Sequence, residues 1–199
     1  MRAFRFRPIP FVATVLLVAL GISLGQWQDR RAAGKIAVQA QVDAAAKAAP
    51  IALDGALVDA GAAEHRKVKA TGEFVAGWPI LLDNRPQEGK GPGFYLLMPM
   101  RLTGTDTHVL VARGWLARPA GAAGLTPAFD TPGGTVTVSG VARATLGKVM
   151  QLGSAPPVAP GAILQNIEVA QFAKASGLKL QPFFIEQTDP VQPGEQLVR

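Results

Sequence analysis

Two periodicities divide the chain. From Pro8 to Gln28 no side chain is charged, and the apolar residues fall on every side of a helix rather than on one stripe. As a helix these 21 residues reach about 31 Å, close to the ~30 Å hydrocarbon core of a bilayer. The pattern therefore predicts a transmembrane helix over 8–28. Arg2, Arg5 and Arg7 form a basic flank over 1–7. Trp27 stands where an interfacial aromatic belongs, and Asp29, Arg30, Arg31 and Lys35 follow. The positive-inside count slightly favours a cytoplasmic amino terminus. A signal peptide cleaved before Gln26, after the small residues Ser23 and Gly25, is the competing reading, and a buried helix of a soluble protein is the third. Either of the first two exports everything downstream.

From 29 to 50 the composition is rich in Ala, Gln and Lys, ended by Pro50. It predicts a helical stalk continuing the span, with a linker as the alternative. Pro50 to Gly61 reads as loop. After His65 the period changes from helical to alternating. Strands are expected over 67–74, 80–84, 94–98, 108–116, 135–142 and 183–186. Pro99 is expected to end the third of these or confine it to a sheet edge. Gln87–Gly93 and 119–134 read as loops, and Gly104-Thr105-Asp106 as a turn. Asn166 is the expected N-cap of one helix over 167–176, stopped by Gly177. The β-rich domain thus runs over 51–190, with a polar tail over 191–199. The fold class is a membrane-anchored, mostly antiparallel β domain behind a single N-terminal transmembrane helix.

Composition removes several functions. The formal charge is +6, but residues 1–50 carry seven Lys/Arg against two Asp/Glu, leaving thirteen against twelve downstream. A nucleic-acid-binding domain carries its own basic face, and this domain is nearly neutral. With no cysteine, disulfides, thiolate metal sites and cysteine nucleophiles are excluded. No nucleophile elbow and no paired histidines on a helical face are present. Gly89-Lys90-Gly91 joins two strands, unlike a phosphate loop. His65 and His108 are the only histidines. Either has the imidazole to ligate a haem iron, but each stands alone in sequence and reads more plainly as a solvated side chain. Arg85, Arg113 and Arg30 draw attention because each adjoins a turn or an aromatic. A guanidinium there either grips a carboxylate bidentately or ties down a turn through backbone carbonyls.

Four stretches in order carry a resemblance. They are Leu24-Gly25-Gln26-Trp27-Gln28-Asp29-Arg30-Arg31 through Lys35; Val68-Lys69-Ala70-Thr71-Gly72-Glu73-Phe74; Leu81-Leu82-Asp83-Asn84-Arg85 with Gly93-Phe94-Tyr95 and Pro99; and Val109-Leu110-Val111-Ala112-Arg113-Gly114-Trp115-Leu116. Behind one N-terminal span, over roughly residues 8–145, they resemble the surfeit-locus family of cytochrome c oxidase assembly factors. The resemblance implies a protein of the bacterial inner membrane with a periplasmic domain, or of the mitochondrial intermembrane space. It implies a non-enzymatic role: helping haem a enter subunit I of a haem-copper oxidase, with transient haem contact and the oxidase, its haem delivery machinery and the bilayer as partners. The residues expected at haem or partner contacts are Trp27, Arg30, Arg85, Arg113 and Trp115. The family adds a second transmembrane helix after the β domain and places proposed haem-ligating histidines there. The polar residues up to Arg199 offer no matching position, so no ligand is carried over, and a following span is expected if the chain is longer. The rival classes are an accessory subunit of the mature oxidase and an exported β-rich binding protein.

Overall fold

The computed structural model describes residues 7–87, 89–119, 126–151, 153–190 and 196–198. Arg2 and Arg5 of the basic flank, Glu88, residues 120–125 of the expected loop and most of the polar tail lie outside the described residues. The chain forms two units, residues 1–44 and 45–199.

The first unit is built on one helix, α1 (Pro8–Lys47), running unbroken through Gly34. At about 1.5 Å per residue it is some 60 Å long. None of its residues is buried, and Ile9, Phe11, Leu16, Leu17, Leu20 and Leu24 are each more than half exposed. The helix is long and apolar enough to cross a membrane.

The second unit contains β1 (Ile51–Leu53), α2 (Ala60–Ala63), β2 (Lys67–Phe74), β3 (Ile80–Leu82), β4 (Gly93–Leu102), β5 (Thr107–Ala117), β6 (Val136–Arg143), β7 (Ile163–Leu164), α3 (Val169–Ser176) and β8 (Lys179–Gln187). Strands β2, β6, β8, β5 and β4 close into a five-stranded barrel, the last contact being β4 back onto β2. Of its five pairings only β5–β8 is parallel. β1 lies parallel beside β2, and β3 and β7 extend the sheet from the first half of β4.

Alternation along the strands explains the two main cores. Val109 and Val111 of β5, with Phe183 and Ile185 of β8, point to one side and pack with Val68, Ala70, Met100 and Val138. Leu110, Ala112 and Phe184 point to the other side and are covered by Phe172 of α3, Leu180 and Ile80. With both faces covered, β5 reads as an almost uninterrupted apolar run. Trp78 meets Phe172 edge-on at 5.5 Å between ring centroids. Leu197 closes a third cluster with Phe94, Leu96, Met98 and Leu116, and the Val198 backbone exchanges two hydrogen bonds with that of Trp115.

Four expectations need correction. β4 runs straight through Pro99. The Pro99 carbonyl accepts from Val75 N–H at 2.9 Å, so its missing donor faces the same side. There β4 changes partner from β3 to β2, and the ladder bond that proline cannot donate to the Val75 carbonyl is replaced by the Trp78 N–H, at 3.2 Å. The loop over 50–61 contains β1 and the start of α2, pieces too short for periodicity to show. β7 was missed for the same reason. Finally, α3 begins two residues later than expected. Its N-cap is Glu168, whose N–H donates to the Gln171 side chain at 3.3 Å, while Asn166 brackets the N–H and C=O of Val149 at 2.9 Å each. Gly177 stops α3 as expected, at φ 71°.

Candidate functional site

A pocket of about 380 Å³ opens on the β domain. Two non-glycine residues in left-handed backbone conformation help to build it. Asn84 (φ 59°) takes the turn after β3, a conformation asparagine tolerates better than most, and Asp83 Oδ1 accepts the Asn84 N–H. This turn delivers Arg85. His65 (φ 64°) makes the corner between α2 and β2, where a residue with a Cβ costs about 1 kcal/mol. The corner is fastened to the end of β6 by His65 N–H to Ala142 O and Ala142 N–H to Arg66 O, both 2.9 Å.

Glu64, His65, Arg85, Tyr95, Arg143 and Glu186 supply the polar wall. Arg143 donates through Nε to Glu186 Oε2 at 2.9 Å and through Nη1 to His65 Nδ1 at 2.7 Å. A guanidinium has no acceptor, so His65 Nδ1 carries the lone pair and its proton sits on Nε2, 3.5 Å from Glu64 Oε1. The other Glu64 oxygen accepts the Ala144 N–H. Arg85 donates to three carbonyls, Leu146 and Gly147 at 3.0 Å and Gln165 at 3.2 Å. Burial lowers the Arg85 pKa from its ordinary value, with Tyr95 acting against this. Burial likewise pushes the Tyr95 phenol up, nearby Glu186 adds to the rise and Arg85 opposes it.

A family model described as the SURF1 family matches residues 15–198. The chain belongs to the SURF1 family. A SURF1-like protein of Drosophila melanogaster is 29% identical over 119 residues, which is 52% of this chain and 40% of the relative. The aligned stretch thus spans well under two thirds of that relative.

Within this SURF1-family chain, the residues singled out from sequence part company. Arg85 lines the pocket, and its carbonyl accepts the Trp115 indole N–H at 2.7 Å, so these two are brought together. Trp115 is itself buried, at 2% exposure, and Arg113 at 1%. β5 pairs Gly114 with Leu96 and Ala112 with Leu97, which makes Arg113 the extra residue of a bulge and re-aims it inward. There it donates to Asp130 O at 2.8 Å and lies 4.8 Å from the Phe74 ring centroid. Arg85 and Arg113 thus both engage backbone carbonyls, and Arg113 and Trp115 present no surface to a ligand in this structure. On α1, Trp27 is half exposed, and the cation beside its ring is Arg31, one turn on, at 5.4 Å; Arg30 is exposed.

Neither histidine is simply solvated. His65 is gripped by Arg143, and His108 is buried at 8% exposure in β5 with Nδ1 unpartnered among the described residues. Sequence reasoning passed over Glu64, Tyr95, Arg143 and Glu186 as site residues, since 122 positions separate the first from the last. The available signal was Glu186 closing the apolar strand Phe183-Phe184-Ile185: a carboxylate at the end of a core strand calls for a partner.

Proposed function

We propose that this SURF1-family chain is a membrane-bound, non-enzymatic assembly factor for a haem-copper cytochrome c oxidase, assisting entry of haem a into subunit I. The observation that carries the reading is a family match across nearly the whole chain joined to a helix whose uncharged segment leaves ten large apolar side chains exposed between Ile9 and Leu24. Leaving those in water forfeits on the order of 10 kcal/mol, which a bilayer recovers. The main domain then lies on the periplasmic side of a bacterial inner membrane.

Haem a has an apolar body with charged propionates, chemistry that suits the membrane interface. In this reading Trp27 and Arg30, at the end of the uncharged segment, meet haem transiently. Arg85, Arg113 and Trp115 hold the shape of the domain that docks on the oxidase.

Two measurements test it. Membranes washed with alkaline carbonate should retain the full-length chain. A strain lacking the gene should make oxidase polypeptides at normal level with depleted haem a. An unchanged oxidase spectrum in that strain would end the proposal, and stoichiometric recovery of the chain with active oxidase would replace it with an accessory-subunit role.

A further inference from the structure

The charges around the pocket are matched unevenly. Glu186 is paired with Arg143, and Glu64 receives a backbone N–H and faces the proton-bearing nitrogen of His65. Arg85 meets only neutral carbonyls, with no carboxylate partner among the described residues. Three of its five N–H groups are engaged; the unpartnered Nε is shut off from solvent and so from the pocket, which leaves one N–H on Nη1 spare. A half-buried cation with an unsatisfied donor calls for an acceptor. Tyr95, on the same wall, keeps its hydroxyl proton and can donate it. Two glutamates close by would repel a second negative charge. The space, about 380 Å³, is that of roughly a dozen waters.

We propose that the pocket between Arg85, Tyr95 and Arg143 binds a small molecule through a single carboxylate group, set against Arg85 and the Tyr95 hydroxyl. The single charge follows from the pocket itself: Arg85 is the cation of the wall that no carboxylate matches, so it offsets one negative charge, while Glu64 and Glu186 disfavour a second. The hydrogen bonds of Arg143 to His65 and Glu186 keep this wall in place before a ligand arrives. The pocket shares no residue with the helix-end contacts invoked for haem, so either reading can fail without the other.

The test uses the full-length protein in detergent, with benzoate and acetate as probes and inorganic phosphate at pH 8 as the dianionic comparator. Calorimetric titration should give saturable one-to-one benzoate binding. Tyr95 is the chain's only tyrosine, so its ionisation, read by near-ultraviolet absorbance, should move to higher pH as benzoate fills the site. Tyr95→Phe should weaken benzoate binding about tenfold, the value of one hydrogen bond to a charged acceptor. Arg85→Lys should weaken it as well, and Tyr95→Phe keeps the test open should loss of the carbonyl contacts unfold that variant. Absence of saturable binding, equal affinity for phosphate, or wild-type affinity in Tyr95→Phe would each overturn the proposal.

Discussion

Gly72 is the residue at which the barrel closes. It is the last position of β2 paired with β6, opposite Val136, and the first paired with β4, opposite Leu102. A Cβ placed there would lie 2.0 Å from the Arg101 carbonyl oxygen and 2.8 Å from its carbon. An ordinary contact requires a retreat of more than about 1 Å, and the group that must retreat is backbone. β4 is held by its long ladder to β5, so it cannot step back alone. Overpacking of this kind costs 1–3 kcal/mol when side chains can adjust; here the cost should be about 3 kcal/mol or more. The lower unfolded-state entropy of alanine offsets at most about 1 kcal/mol. Against a typical 5–15 kcal/mol for a domain, Gly72→Ala should lower the urea midpoint by about 1 M or more, at unchanged m-value, followed by tryptophan emission, to which buried Trp115 contributes. Gly133→Ala, with nothing within 4 Å of the new methyl, is the control and should stay within about 0.5 kcal/mol. If the two variants unfold at the same urea concentration, the account of barrel closure is wrong.

Tyr95 holds its proton more tightly folded than unfolded, so its contribution to stability is complete below pH ~10 and is lost as pH rises through the raised folded value. Spectrophotometric titration should find its midpoint above that of free tyrosine, and Tyr95→Phe should flatten the alkaline loss of stability; a midpoint at or below the free value contradicts the burial argument. Leu17→Arg, near the middle of the uncharged segment, should cost about 2.5–3.5 kcal/mol of insertion and reduce the amount surviving a carbonate wash; undiminished retention would count against the anchor. Gly177→Ala should destabilise by about 1 kcal/mol, all of it from the left-handed backbone, since nothing lies within 4 Å of the new methyl; calorimetric unfolding measures it.

What could be read from the sequence depended on how far each signal extends. The long helix showed because 21 consecutive uncharged residues have few other uses, β2 and β6 showed because eight residues give alternation room to repeat, and β5 showed as a long apolar run. Two- and three-residue strands such as β7 and β1 exist only because a parallel neighbour offers an edge, which a local pattern does not record. Pro99 was misjudged because the rule concerns a donor's direction, fixed here by a change of partner. Asn166 lost the N-cap to Glu168 because its amide found both backbone groups of Val149. The pocket was the least legible part: the corner at His65, the turn at Asn84 and the ends of β6 and β8 converge only after the barrel closes. Of its wall, the sequence pointed to Arg85 as a contact residue and to His65 only as one of two lone histidines.

The last strand among the described residues, β8, is inserted between β6 and β5. Until residue 187 is available, two neighbouring strands each lack the partner that satisfies one row of backbone groups. During synthesis the domain must therefore wait, its half-made sheet carrying two sticky margins, and then complete itself in one late event. Contacts so distant in sequence slow folding, so the unfinished chain needs shielding until β8 arrives.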